Sequence, residues 1–211
     1  LAGLTPVVCF TFRDKVYLLA GPTVYTSVVT DPTEWDDPIG IGNGFVTLTN
    51  YYSTPEDLVA VAIFQVRLSF FSRQTTQIWE VAQDVASWQQ LQVLENTGAV
   101  LHATVRAIGG LDVLYLSDTG IRSLRAKETT SDAYVDDLGS PIDSLVVASL
   151  KATGFTGACS IVEPSTLQYW LYLNGTIYVL SRFLSSKVQG WSKFTPQYDA
   201  GAAFSITGGS S

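Results

Sequence analysis

Alternating apolar positions near the C-terminal end predict a β-hairpin with a further strand behind it, over residues 167–194. Both faces of the first strand are apolar, so both are expected to be buried. One face consists of Tyr169, Leu171 and Leu173, and the other of Trp170 and Tyr172. Asn174-Gly175 suits a two-residue type I′ turn, because both of its positions need a positive φ.

Three earlier stretches repeat this pattern of strand, second strand, tight turn and third strand, followed by a variable polar segment. The first copy has strands at 7–12, 15–20 and 23–28, with a turn at Gly21-Pro22. The second has strands at 58–64, 66–71 and 77–82, with a turn near Arg73-Gln74. The third has strands at 101–108, 112–117 and 121–126, with a turn at 118–120. The fourth begins with a strand at 157–162 and continues into the hairpin above.

The spacing of the copies indicates the fold. The first apolar residue after each turn recurs at steps of 54, 43 and 56 residues. These anchor residues are Val24, Ile78, Ile121 and Ile177. Trp35, Trp88 and Trp191 follow three of the anchors, whereas the third copy has only Tyr134 nearby. A period of about 40–50 residues that holds four short strands is typical of β-propeller blades.

The predicted fold is therefore all-β, a propeller-like repeat of about four blades in a single domain over residues 1–211. The blades are expected at roughly 7–52, 58–98, 101–138 and 157–198, and 201–207 as the first strand of a further blade. The chain is expected to be a fragment of a larger protein. The alternative fold is a β-sandwich with coincidental spacing. The propeller is favoured because a blade that is apolar on both sides needs neighbours on both sides.

One short helix is predicted near residues 140–153. Ser140 suits the N-cap, Pro141 the first helical position and Asp143 the first turn. Gly154 stands where a C-terminal cap belongs.

The composition restricts the class of protein. Of 211 residues, 46% are hydrophobic and only 15% are charged, which indicates extensive buried or partner-covered surface. The net charge of −7 argues against binding nucleic acid through its phosphates. No apolar run reaches the roughly 18–20 residues of a membrane-spanning helix, so no membrane segment is expected.

The candidates for catalysis and redox chemistry are few. Cys9 and Cys159 are expected to be buried free thiols rather than a disulfide. His102 lies in an inner-strand pattern, which favours a structural histidine over a general base. Carboxylates that might act in glycoside hydrolysis are not paired by any motif; they are Glu80, Asp84, Asp112, Asp118 and Glu128. We therefore predict no enzyme activity, no catalytic residues and no cofactor.

Two acid-rich loops offer oxygen ligands for Ca²⁺, but neither has the ordered alternation of a calcium loop. Their acids are Asp31, Glu34, Asp36 and Asp37 in one loop, and Asp132, Asp136 and Asp137 in the other. We interpret both loops as solvated turns and predict no metal site. Asn174-Gly175-Thr176 has the form of a glycosylation acceptor, which we interpret as turn chemistry.

Known propeller signatures match poorly. Trp35-Asp36 is a WD dipeptide without its paired Gly-His, and residues 117–120 have only part of the Asp-box of sialidases. A cellular scaffold propeller of the WD40 or kelch type is therefore disfavoured.

Three segments resemble tail proteins of short-tailed bacteriophages, of the tail tubular protein B (nozzle) type or the tail hub or stabilisation type. DPTEWDDPIGIG (31–42) is similar to a first-blade loop of those proteins, and LYLSDTGIRSL (114–124) to their recurrent hairpin. The third segment, residues 140–191, has a short helix after Ser-Pro, a strand, YWLYLNGTIYVL and a closing Trp. The missing Trp of the third copy departs from the family pattern.

The resemblance implies a structural component of the virion tail, synthesised in the host cytoplasm. It implies a homo-oligomeric ring of the full-length protein, contacts with other tail subunits and no specific binding of nucleic acid. The alternative function is a carbohydrate-binding or glycosidase propeller module, in which exposed Trp and Tyr residues stack on sugars. The once-per-blade recurrence of Trp35, Trp88 and Trp191 favours packing roles for them.

Overall fold

A computed structural model of the protein describes residues 3–35, 42–49, 55–110, 112–125, 138–183 and 188–196. The chain forms two compact units, Leu1–His102 and Ala103–Ser211. Each unit contains two antiparallel sheets.

The first unit has two four-stranded sheets whose strands are neighbours in chain order. The first sheet consists of β1 (Val8–Phe12), β2 (Lys15–Ala20), β3 (Thr23–Thr26) and β4 (Gly44–Thr47). The second consists of β5 (Leu58–Phe64), β6 (Arg67–Ser72), β7 (Thr75–Glu80) and β8 (Gln89–Glu95). A short 3-10 helix, Val85–Ser87, precedes β8.

The second unit has a three-stranded and a four-stranded sheet within the described residues. The former consists of β9 (Arg106–Ile108), β10 (Asp112–Ser117) and β11 (Gly120–Ser123). The latter consists of β12 (Cys159–Glu163), β13 (Gln168–Leu173), β14 (Thr176–Phe183) and β15 (Val188–Phe194). Between these sheets lie a 3-10 helix, Ser140–Ile142, and the helix α1, Asp143–Thr153.

Every sheet is an up-and-down meander, and each lies within one of the four predicted blade segments. The predicted all-β, propeller-like fold with about four blades and one short helix is thereby confirmed. Residues 126–137, which would end the third blade, and 201–207, the further strand, lie outside the described residues. That the four sheets form a single domain stays a prediction.

The middle strands carry the core because neighbouring strands cover their edges and other residues cover both of their faces. All six residues of β10 are buried, as are five of the six residues of β6. In the first unit, a cluster that includes Tyr17, Leu68, Phe70 and Trp88 joins β2, β6 and the end of the 3-10 helix. Strands that are buried on both faces consist of nearly continuous apolar residues, which explains why the sequence pattern predicted them.

The Asn174-Gly175 turn has φ values of 49° and 79°, as a type I′ turn requires. It places Leu173 opposite Thr176 in the register of β13 and β14. The prediction that both faces of β13 are buried is only half correct. Tyr169, Leu171 and Leu173 are buried, whereas Trp170 and Tyr172 remain partly exposed.

Two strand predictions in the second and third copies are wrong at their beginnings. His102 lies in a 3-10 helix, His102–Thr104, and only 106–108 of the predicted 101–108 strand is extended. Val66 was predicted to begin a strand, but Gln65 and Val66 form a turn with φ of 49° and 67°. An apolar residue can lie at the end of a strand or in a turn, and apolar character alone does not distinguish the two. A β-branched residue adopts the positive φ of such a turn only with strain.

Three third-strand predictions need smaller corrections. The first copy's strand stops at Thr26, and the third copy's stops at Ser123. The second copy's strand runs from Thr75 to Glu80 instead of 77–82. At Ser27 the backbone N–H still donates to the Val16 carbonyl at 2.9 Å, but the Val16 N–H donates to the Ser27 hydroxyl at 3.0 Å instead of to a backbone carbonyl.

The predicted helix near 140–153 begins differently from its prediction. Ser140 and Pro141 lie in the 3-10 turn, so Ser140 is not the N-cap of α1. Asp143 is in the first turn of α1 and Gly154 caps its C-terminal end with φ of 75°, both as predicted.

Candidate functional site

Four of the five candidate carboxylates lie within the described residues, and each has a different environment. Glu80 is exposed at the end of β7. Asp84 caps the 3-10 helix, where it accepts a hydrogen bond from the Ala86 N–H at 3.0 Å. Asp118 lies in the turn between β10 and β11, and Glu128 lies outside the described residues. These positions do not identify a pair of opposed carboxylates.

Asp112 is the buried member of the set, and its carboxylate holds three strands of the second unit together. Its Oδ1 accepts hydrogen bonds from the N–H groups of Val113 at 2.7 Å and Arg125 at 3.1 Å. Its Oδ2 accepts the Ser123 hydroxyl at 2.7 Å and lies 3.5 Å from the Arg182 guanidinium on β14. The Asp112 carboxylate therefore links strands to one another. The position of Asp112 at the start of a strand did not predict this role.

A second polar centre, missed from the sequence, surrounds Lys15 at the start of β2. Its side chain is only 2% exposed. Its ammonium donates to the Gln83 carbonyl at 3.0 Å and to that of Gly42, and lies 5.7 Å from the Tyr17 ring centre. Burial lowers the pKa of Lys15 to about 8, although the charge of Asp84 opposes this shift.

The residues around Lys15 are closely packed, so a larger side chain would not fit beside it. A side chain at Gly42 would meet the Gln83 carbonyl oxygen at 2.5 Å and the Lys15 ammonium at 3.0 Å, and Gly42 has φ of 90°. The Gly42 carbonyl also accepts the Thr26 hydroxyl at 2.8 Å. Lys15, Tyr17 and Leu19 are two residues apart along β2, so their side chains lie on the same face of the strand. Because Tyr17 and Leu19 are apolar, this alternation is the signal that could have placed Lys15 in the core.

An open cleft of about 560 Å³ lies at the tip of the β1–β2 hairpin. Its lining includes Thr11, Arg13, Asp14, Thr30 and Pro32. Arg13 is held there by a hydrogen bond of 2.6 Å from its guanidinium to the Val81 carbonyl. The buried Lys15 also belongs to the lining, so the cleft offers two positive side chains and one negative side chain.

The three recurring tryptophans each donate their indole N–H to a backbone carbonyl. Trp35 bonds to Pro32 at 2.9 Å, Trp88 to Ala82 at 3.1 Å and Trp191 to Leu138 at 2.6 Å. Trp88 is buried, and its ring centre lies 6.0 Å from that of Tyr17. Trp88 thus has the buried position that a packing role requires, whereas Trp35 and Trp191 are partly exposed, and for these two the packing role stays a prediction.

The described part of the first acid-rich loop is organised by its own side chains. The Asp31 carboxylate accepts the N–H of Thr33 at 2.9 Å and its hydroxyl at 2.7 Å. These bonds lower the pKa of Asp31. Among the described residues, no group of three or more His, Cys, Asp or Glu is arranged to hold a metal ion. Asp36, Asp37 and the acids of 132–137 lie outside them.

The Asn174 amide is committed to the C-terminal end of α1. It donates to the Gly154 carbonyl at 2.9 Å, to the Ser149 hydroxyl at 3.0 Å and to the Ser149 carbonyl at 3.3 Å. This agrees with turn chemistry rather than a modification site. Cys9 is exposed on β1 and Cys159 is partly exposed on β12, so the prediction of two buried thiols is wrong; both are free.

The helix α1 is tied to the third sheet by an ion pair. The Arg122 guanidinium on β11 lies 2.9 Å and 2.8 Å from the two carboxylate oxygens of Asp143. A side chain at Gly139 would lie 2.0 Å from the Ile121 carbonyl oxygen, so that glycine is required. The described part of the chain contains no helix long and apolar enough to span a bilayer.

The chain is thus a propeller-like all-β protein. Two of its buried charged residues, Lys15 and Asp112, hold separate segments of the chain together. No known family model matches the chain, and no curated protein is similar to it. Among solved structures it is similar to Kluyveromyces lactis Hsv2, with a TM-score of 0.40 and 7% identity over 89% of this chain and 71% of that chain.

A second solved structure is PorZ, a bacterial surface component of the type-IX secretion system of Porphyromonas gingivalis. Its TM-score is 0.37 and its identity 12%, over 90% of this chain and 28% of that chain. Likenesses at this level carry no argument about function.

Proposed function

We propose that this chain is a structural component of a bacteriophage tail, of the nozzle or hub type, that assembles into a ring and contacts other tail proteins. It would be synthesised in the host cytoplasm and incorporated into the virion. The observation that supports this proposal is that buried and partly buried charged groups hold separate segments of the chain together, as a scaffold needs. Lys15 on β2 binds the carbonyls of Gly42 and Gln83, Asp112 binds β11 and β14, and Arg122 on β11 pairs with Asp143 of α1.

Two of the three segments that resemble tail proteins take part in these connections. Residues 114–124 include the hairpin of β10 and β11, whose Arg122 holds α1. Residues 140–191 include α1 and the β13–β14 turn, whose Asn174 holds the opposite end of the same helix. For these two segments, the resemblance concerns the framework of the second unit; the third segment, 31–42, belongs to the first unit.

Immunogold electron microscopy tests the proposal on virions produced by the strain that carries the gene. Antibodies raised against the purified chain should label one end of the particle, at the tail. Antibodies against a capsid protein serve as the positive control. Virions that bind the capsid antibodies but show no tail label would contradict the proposal.

The alternative is a carbohydrate-binding module, and one observation favours it. Tyr25 and Phe45 form an aromatic pair on β3 and β4, with ring centres 5.9 Å apart, and Phe45 is 66% exposed. Exposed rings of this kind can cover the apolar face of a sugar. Binding on a glycan array that is lost in Phe45→Ala, with an unchanged melting temperature, would support this alternative.

A further inference from the structure

The strands β8 and β15 end their sheets. The strand orders are β5-β6-β7-β8 in the first unit and β12-β13-β14-β15 in the second. Each is seven residues long and, among the described residues, pairs with a strand on one side only. The outer N–H and C=O groups of such a strand are a template for another strand.

Both strands expose most of their side chains. Leu91 on β8 is 41% exposed and Phe194 on β15 is 53% exposed. The other exposed residues are Gln89, Gln90 and Glu95 on β8, and Gln189, Gly190, Ser192 and Lys193 on β15. A large exposed apolar residue on an edge strand favours a partner strand over solvent.

The two edges carry single charges of opposite sign. Glu95 is the one charged residue of β8, and Lys193 is the one charged residue of β15. Both are exposed. A copy of β8 beside another β8 would bring like charges together, and the same holds for β15. The combination of β8 with β15 brings opposite charges together, which favours a mixed contact.

We propose that β8 of one copy of the chain pairs with β15 of a neighbouring copy, with Glu95 beside Lys193. A parallel register with this contact places residues 92–95, beyond the bulge of β8, beside 190–193. In an antiparallel register with the same contact, Leu94 and Phe194 are the only other pair of strand residues that lie side by side. The parallel arrangement also places Leu91 and Phe194 near opposite ends of the paired segment.

This contact joins two different surfaces, so each copy would retain one unused β8 or β15 for the next copy. Such head-to-tail contacts generate rings when the rotation closes. The inference rests on the proposed function, because it names the surface by which the ring would form.

Charge reversal tests the contact by sedimentation velocity over a range of chain concentrations. Glu95→Lys and Lys193→Glu should each weaken self-association by about five- to tenfold, because like charges would then meet. The double variant Glu95→Lys/Lys193→Glu should restore it to near the wild-type level. Asp57→Lys and Lys151→Glu make the same charge changes at exposed positions elsewhere and should leave association unchanged.

A steric variant tests the same edge without a change of charge. A Cβ added at Gly190 would meet no atom of the described residues within 4 Å, so Gly190→Trp should fold with a melting temperature near that of the wild type. It should nevertheless weaken self-association, since the new side chain would crowd that of Gln92 of the neighbouring copy, which lies beside it on the same face in the parallel register.

The outcomes separate the two proposals. A wild-type chain that stays monomeric at all concentrations would overturn both the ring and this interface. A wild-type chain that assembles, with charge variants and Gly190→Trp that assemble equally well, would overturn the interface alone and leave the ring in place.

Discussion

At the residue scale, the strongest constraint is the burial of a lysine within an apolar cluster. Among the described residues, the Lys15 ammonium contacts the carbonyl oxygens of Gly42 and Gln83 and lies near the Tyr17 ring. Its charged form is therefore solvated by the protein less well than by water, which is why its pKa falls to about 8.

This shift predicts how stability depends on pH. Between pH 8 and 10 the unfolded chain holds more protons at Lys15 than the folded chain, so the free energy of unfolding should rise with pH. The rise should be on the order of 2 kcal/mol by denaturant unfolding. Above pH 10 the raised pKa of Tyr17, about 12, opposes the trend.

Lys15→Met should remove most of this rise, because it removes the group whose lowered pKa causes it. Lys151→Met, at an exposed position of α1, is the control and should keep it. An equal slope in Lys15→Met and wild type would refute the assignment.

Backbone strain at Val66 gives a second prediction. Val66 has φ of 67° in a two-residue turn, which a β-branched residue adopts at a cost. Gln65→Asn/Val66→Gly should raise the free energy of unfolding by about 1 kcal/mol, measured by chemical denaturation.

The β1–β2 turn provides the comparison, since Asp14 has φ of 60° and aspartate tolerates that region. Asp14→Gly should change stability less than Val66→Gly does. A larger gain at Asp14 would contradict the explanation by β-branching.

At the element scale, α1 is fixed at both ends by polar contacts to two hairpins of the second unit. Arg122 binds its first turn and Asn174 binds its C-terminal end. Asn174→Asp keeps a residue type that suits the turn. It replaces an amide that donates three hydrogen bonds with a carboxylate that faces carbonyl oxygens. We expect a loss of about 1–2 kcal/mol by thermal or denaturant unfolding at pH 7.

Asn96 gives the matched control, because it also has a positive φ of 57° but is exposed. Asn96→Asp should change stability by less than about 0.5 kcal/mol. Equal losses at the two positions would show that the amide contacts of Asn174 contribute nothing.

The strands that could be predicted are those whose apolar runs are buried from both sides. β10 and β13 are examples, and the Asn174-Gly175 turn has a composition that only one turn type favours. The turn at Gln65-Val66 could not be predicted, because neither residue type signals a positive φ. The residues around Lys15 are brought together from 42 and 83, and no local pattern connects positions so far apart.

At the scale of the whole molecule, the described residues form four consecutive meanders, each of which begins and ends with an outer strand. A low charged fraction of 15% and a positive mean hydropathy of +0.22 are consistent with surface that a neighbour covers. The proposed contact between β8 and β15 uses two such strands and would make the repeat within one chain part of a larger ring.

Native mass spectrometry of the wild-type chain at micromolar concentration tests the central claim, that this is an assembling structural protein. The account predicts one closed oligomer with a fixed number of copies, whose association weakens by less than about tenfold as salt is raised, because its contact includes one exposed ion pair. A chain that remains monomeric across the same concentrations would contradict it.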